Sequence, residues 1–117
     1  MSATIGTFAA RVIAGTDAPI FPYGLSLLAE LRAFRDAGLP GDTVLRAATS
    51  EAAVALGADD QLGRLAPGLL ADLLIVAGDP LADPLELGRV EMVISNGIPV
   101  PGTGARATLP GARAAHR

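Results

Sequence analysis

The sequence predicts an α+β fold made of one strand, three helices and a small antiparallel sheet. Three observations carry this. Leu27, Leu31 and Phe34 recur at helical spacing. After Leu62 the period changes from helical to extended. Asn96-Gly97, the strongest short hairpin signal, separates two apolar runs. The chain has 117 residues, enough for one ordinary domain of about 100–150 residues but far short of the roughly 250 of a complete (β/α)8 barrel. Its aromatic residues are three Phe and one Tyr, so the core is built from Ala, Leu, Val and Ile.

Residues 1–10 are small and weakly patterned and are expected to be poorly anchored. Arg11-Val12-Ile13-Ala14 runs into Gly15-Thr16-Asp17 and reads as a strand over 11–17. Such a strand delivers a carboxylate at its C-terminal end, where barrel and open α/β folds place their chemistry. Pro19 and Pro22 punctuate a loop from Ala18 to Gly24. Leu25 to Ala37 is the clearest helix, with Leu28 widening its apolar face, an Arg32–Asp36 pair at i,i+4 and Gly38 at C′. A second helix over Asp42 to Ala48 turns Val44, Leu45 and Ala48 inward, and Asp42 favours its first turn through the helix dipole. Thr49 or Ser50 caps a third helix through Ala52, Ala53 and Leu56, ended by Gly57. These helices are too short to stand alone and must pack on something.

Residues 11–61 thus form a segment of one strand plus three helices, and 62–100 a small β segment. In the latter, Gly63-Arg64-Leu65 reads as a short strand and Pro67-Gly68 as a turn. Leu73 to Val76 is an apolar strand closed by Gly78-Asp79-Pro80. Val90 to Ser95 and Ile98 to Val100 flank the Asn96-Gly97 turn, and Pro99 restricts the last strand to a sheet edge. From Pro101 onward Pro, Gly, Ala, Thr and Arg dominate without periodicity, and 101–117 reads as a disordered tail.

Charge and composition exclude several classes. The formal net charge is −3, with twelve acidic residues against nine scattered arginines, which is no footprint for nucleic acid. No run approaches the ~20 apolar residues of a membrane span, and no stretch has the charged and apolar regions of a signal peptide. Absence of cysteine excludes disulfides and thiolate metal ligands. The expected setting is cytoplasmic.

Asp17 is the leading candidate functional residue, although an Asp before Ala-Pro also serves as a turn or helix cap. A catalytic zinc usually needs three protein ligands and an open position. The chain contains no lysine and a single histidine, His116, next to the last residue. Asp72 and Asp79 joined to Asp17 would make a carboxylate set for a hard cation, but each also stands where Asp is favoured for turns. Tyr23, in the loop after Asp17, reads as a substrate contact or a packing residue. Thr49 has no base beside it and reads as a cap rather than a nucleophile.

Two groups of segments, in this order, carry a resemblance. The first is Ala14-Gly15-Thr16-Asp17-Ala18-Pro19, Leu31-Arg32, Ala37-Gly38-Leu39 and Leu45-Arg46-Ala47-Ala48-Thr49. The second is Leu62-Gly63-Arg64-Leu65, Pro67-Gly68, Ala71-Asp72-Leu73, Asp79-Pro80-Leu81 and Val93-Ile94-Ser95-Asn96-Gly97. From about residue 11 to residue 100 the chain resembles the C-terminal part of a metal-dependent amidohydrolase of the imidazolonepropionase and dipeptidase-like type. The resemblance implies an incomplete domain: the last βα unit of a (β/α)8 barrel, followed by the C-terminal strands of a small composite β-sandwich. It also implies metal-dependent hydrolysis of carbon–nitrogen bonds other than peptide bonds, with one or two divalent metals, zinc foremost, acidifying a water. Asp17 matches the aspartate ending the eighth barrel strand, a metal ligand that acts as general base and then general acid.

The family's histidines and its bridging lysine or glutamate precede this segment, whereas the sixteen residues before Asp17 include no His, Lys, Asp or Glu. The expectation is a chain that binds no metal and is inactive alone. A second chain would then supply the rest of the barrel. The alternatives are a non-catalytic module that binds a partner or self-associates, and a truncated gene product without function.

Overall fold

The computed structural model describes residues 11–20 and 22–101. The expectations for residues 1–10, for Phe21, for His116 and for the tail beyond Pro101 lie outside the described residues. Helix α1 (Leu25–Asp36), α2 (Gly41–Ala47) and α3 (Ser50–Ala55) come first. Strand β1 (Leu73–Val76), a 3₁₀ helix (Pro84–Gly88), β2 (Val90–Ser95) and β3 (Ile98–Pro99) follow.

The core is aliphatic, as the composition demands. Leu31, Leu39 and Val44 are buried together, with Ala14, Leu27, Phe34, Ala37, Ala48 and Leu87 packed around them. The apolar face read for α1 is therefore the face that is used. Arg32 donates to Asp36 at 2.9 Å, and that hydrogen bond, with the Asp36 and Asp83 charges, raises the guanidinium above its ordinary value. Ala47 rather than Leu45 or Ala48 is the fully buried partner of Val44 on α2. Gly41, the first residue of α2, is a steric requirement: a Cβ there would run into the backbone carbonyl of Leu81.

Four sequence expectations are corrected. Residues 11–17 form no ladder among the described residues and are not a strand; a strand is defined by a neighbour, and none lies beside this stretch. Gly63-Arg64-Leu65 is not a strand: Gly63 and Arg64 lie in a bend and Leu65 follows without regular structure, and Gly63 takes φ 99° where a Cβ would sit 2.5 Å from the Ala53 Cβ. The Thr49 side chain does not cap α3 and instead donates backward to the Leu45 carbonyl at 2.7 Å. Leu56 is 79% exposed rather than inward, since α3 ends at Ala55 and buries only Ala53.

The sheet has order β1-β2-β3 and is antiparallel throughout. Leu73 pairs with Ile94, Leu74 with Val93 and Ile75 with Met92, before a register shift leading to Val76 and Val90. At the expected turn Asn96 and Gly97 have φ 49° and 79°, the doubly positive geometry that favours Asn-Gly in tight hairpins. The turn is tied back to the approach to β1. Asn96 N–H donates to Asp72 Oδ1 at 2.7 Å, and Gly97 N–H to the Ala71 carbonyl at 2.9 Å. Pro99 stands on the edge strand as expected.

Sequence reading missed the 3₁₀ helix. Its signal was present in Asp83-Pro84, an N-cap acceptor followed by a residue with preset φ. Asp83 Oδ1 accepts from Leu85 N–H at 2.9 Å, and Pro84 is buried. This turn contacts α1, α2 and β1, joining the helical layer to the sheet.

Two substitutions test this packing by urea unfolding of the whole chain. Leu31→Ala, at a side chain with 0% exposure, should cost about 2–5 kcal/mol. Gly41→Ala should cost about 1–3 kcal/mol through overpacking against Leu81. A change below about 0.5 kcal/mol in either variant would show that the packing is not tight.

Candidate functional site

The stretch carrying Asp17 keeps an extended character without a ladder. From Arg11 to Asp17, exposed and half-buried residues alternate strictly, the period of an extended chain with one covered face. Ile13 is 45% exposed on the uncovered face, and Ala14 packs on the core. The stretch is tethered at three points. Arg11 pairs with Glu51 at 2.6 Å, and this hydrogen bond raises the guanidinium above its ordinary value. Ala14 N–H donates to the Ala47 carbonyl at 2.9 Å, and Gly15 N–H donates to Glu30 Oε1 at 2.8 Å.

Asp17 takes φ 50°, a left-handed conformation that Asp tolerates better than most residues. Its carbonyl accepts from Ile20 N–H at 2.9 Å, closing a turn that contains the cis Ala18–Pro19 peptide. Its side chain is exposed and enters no ion pair or hydrogen bond among those formed by the described residues. Asp17 borders an open hollow of about 450 Å³ together with Gly15, Thr16, Leu25, Ser26 and Glu30. Tyr23 is 77% exposed, next to this hollow in sequence but not among the residues lining it.

The other candidates do not converge on Asp17. Asp72 holds the hairpin turn, and Asp79 Oδ1 accepts from Leu81 N–H at 3.0 Å in its own turn. Among the described residues no group of three His, Cys, Asp or Glu side chains could hold a metal ion. The turn reading of Asp72 and Asp79 therefore replaces the carboxylate-set alternative. Among the described residues Asp17 and Glu30 are the two carboxylates at the hollow, and a catalytic zinc takes about three protein ligands. An exposed carboxylate with free lone pairs can still accept a proton or serve as one ligand of a larger set.

Sequence reading missed Glu30, taken only as part of the polar face of α1. No local signal could have found it, because its acceptor role depends on an amide fifteen positions away. No described helix is long and apolar enough to cross a membrane.

Asp17→Asn tests whether the carboxylate is structural. Since the side chain is exposed and unpaired, the variant should unfold in urea within about 0.5 kcal/mol of the parent. A loss above about 1 kcal/mol would assign Asp17 to folding instead.

The family model describing the amidohydrolase family matches residues 5–100. No curated protein matches the chain. Among solved structures, a Xaa-Pro dipeptidase with bound methionine in its active site is 35% identical, with TM-score 0.61; the match covers 64% of this chain and 18% of that one. Phenylurea hydrolase B is 28% identical, with TM-score 0.64, over 67% of this chain and 17% of that one. An amidohydrolase from Thermotoga maritima MSB8 is 26% identical, with TM-score 0.66, over 78% of this chain and 23% of that one. The chain thus spans about a fifth of the length of the structures it matches.

Proposed function

Because the chain belongs to the amidohydrolase family, we propose that it is the C-terminal segment of a metal-dependent hydrolase of carbon–nitrogen bonds other than peptide bonds. In this reading residues 11–61 are the last βα unit of a (β/α)8 barrel, and 62–100 are strands of a composite sandwich. The observation that carries it is Asp17: an unpaired carboxylate ending an extended stretch, in a chain spanning about a fifth of its structural relatives. The missing barrel strands would pair along the backbone edges of 11–17, which forms no ladder among the described residues.

In a completed site Asp17 would be one ligand of a divalent metal, zinc foremost, whose chemistry would be to acidify a bound water. There Asp17 would take the proton of the attacking water and hand it to the leaving nitrogen, acting as base and then acid. Tyr23, exposed just past the turn, would touch substrate or serve in packing in the completed enzyme. Alone, the chain lacks the ligands and is inactive. The histidine ligands and the other barrel strands would come from outside these 117 residues, with neither nucleic acid nor membrane involved.

A second reading has its own observation. Ile20 is 80% exposed, Leu25 70%, Leu65 73% and Ile98 68%, in addition to Leu56. Apolar surface of this extent suits a module that binds a partner without catalysis, or one that self-associates.

The purified chain, loaded with zinc and dialysed, should retain well below one metal per chain and should not hydrolyse amides or cyclic imides. Mixed with a polypeptide supplying the histidine ligands and the other barrel strands, it should gain amidase activity. Asp17→Asn should lower that activity at least about 10²-fold. Stoichiometric zinc and turnover in the chain alone would overturn the proposal. Association without turnover in every such mixture would favour the non-catalytic module.

A further inference from the structure

Although no strand among the described residues lies beside the 11–17 stretch, two consecutive amides in it are satisfied by the rest of the chain. Ala14 N–H goes to the Ala47 carbonyl at the end of α2, and Gly15 N–H goes to Glu30 on α1. Successive amides of an extended chain point to opposite sides, so the stretch is gripped by a different helix on each side. The second grip lies two residues before Asp17. It is also the unusual one, because a ladder would offer a backbone carbonyl there and this fold offers a carboxylate.

We infer that Glu30 is the positioning residue for Asp17, its carboxylate standing in for a neighbouring strand at Gly15 and aiming the turn that presents the Asp17 side chain. Several observations favour this. Glu30 forms no ion pair among the described residues. Its helical neighbours at i−4, i−3, i+3 and i+4 are Ser26, Leu27, Ala33 and Phe34, which offer no cation to draw it away. Its carboxylate makes a charge-assisted hydrogen bond with the Gly15 amide, stronger than a bond to a neutral acceptor although it lies at the surface. Glu30 and Asp17 border the same hollow, so the helix that supports the turn also walls the space in front of the carboxylate. Space is not what selects glycine at position 15, where a Cβ would meet nothing within 4 Å; what position 15 contributes is its amide.

The inference rests on the reading of Asp17 as the functional carboxylate, but its test does not use activity. Hydrogen exchange and residual dipolar couplings are measured by NMR on the full 117-residue chain and on Glu30→Ala and Glu30→Gln. Glu30→Ala should speed exchange of the Gly15 amide about tenfold or more. It should also shrink the couplings of Thr16 and Asp17 while leaving those of Leu31 and the rest of α1 in place. Glu30→Gln keeps an acceptor oxygen and should hold the Gly15 rate within about threefold of the parent. Unchanged Gly15 exchange in Glu30→Ala would overturn the inference. So would acceleration spread evenly over α1, or a Gln variant no better than Ala. Asp17→Asn should leave Gly15 protection intact, so a failed catalytic role for Asp17 would be read separately from a failed grip by Glu30.

Discussion

The packing of the Pro84–Gly88 turn against α1 is the contact on which the other elements depend. Helix α2 has seven residues and α3 six, well below the roughly 12–15 at which an isolated helix becomes even marginal in water. Both therefore persist through tertiary burial. The core available to them is small, with Leu31, Leu39 and Val44 at its centre, and Leu87 from the 3₁₀ turn closes one side. Pro84 is buried in the same turn, and Arg32 of α1 reaches toward Asp83 at 3.8 Å. Between exposed groups that ion pair adds little; the burial of apolar surface carries the joint.

That joint also decides where the candidate site lies. With α1 and α2 held together, Glu30 and the Ala47 carbonyl face the 11–17 stretch from its two sides and take consecutive amides. Asp17 is displayed at the end of a backbone that is anchored although it has no ladder. The arrangement supplies orientation without completing a site. A metal centre is a convergence of at least three donors, whereas among the described residues the open hollow is bordered by two carboxylates, Asp17 and Glu30.

The pattern of exposure fits a segment shaped to be covered. In a small self-sufficient domain the large aliphatic side chains gather inside, because each buried one contributes roughly 1.5–3 kcal/mol. Here Ile20, Leu25, Leu56, Leu65 and Ile98 are all more than two-thirds exposed, while the buried centre is formed by a few Leu, Val and Ala residues. The chain belongs to the amidohydrolase family and spans about a fifth of its structural relatives.

Local chemistry by itself determined much of this protein. The 3.6-residue spacing of Leu27, Leu31 and Phe34 specified α1 and its inward face; Gly38 and Gly57 marked helix ends; and Asn96-Gly97 specified the hairpin, because that dipeptide accepts two positive φ angles cheaply. Asp17 was legible as the residue to watch, from its place after an apolar run and from the segments around it. Tertiary structure alone decided the rest. Whether 11–17 is a strand depends on a neighbour, and no residue within the stretch encodes one. The steric demand for Gly63 depends on the approach of Ala53, and that for Gly41 on the Leu81 carbonyl. Glu30 became an acceptor for Gly15 only once α1 had docked. Interactions between residues close in sequence are written in the sequence, whereas those between residues far apart come into being only when packing brings them together.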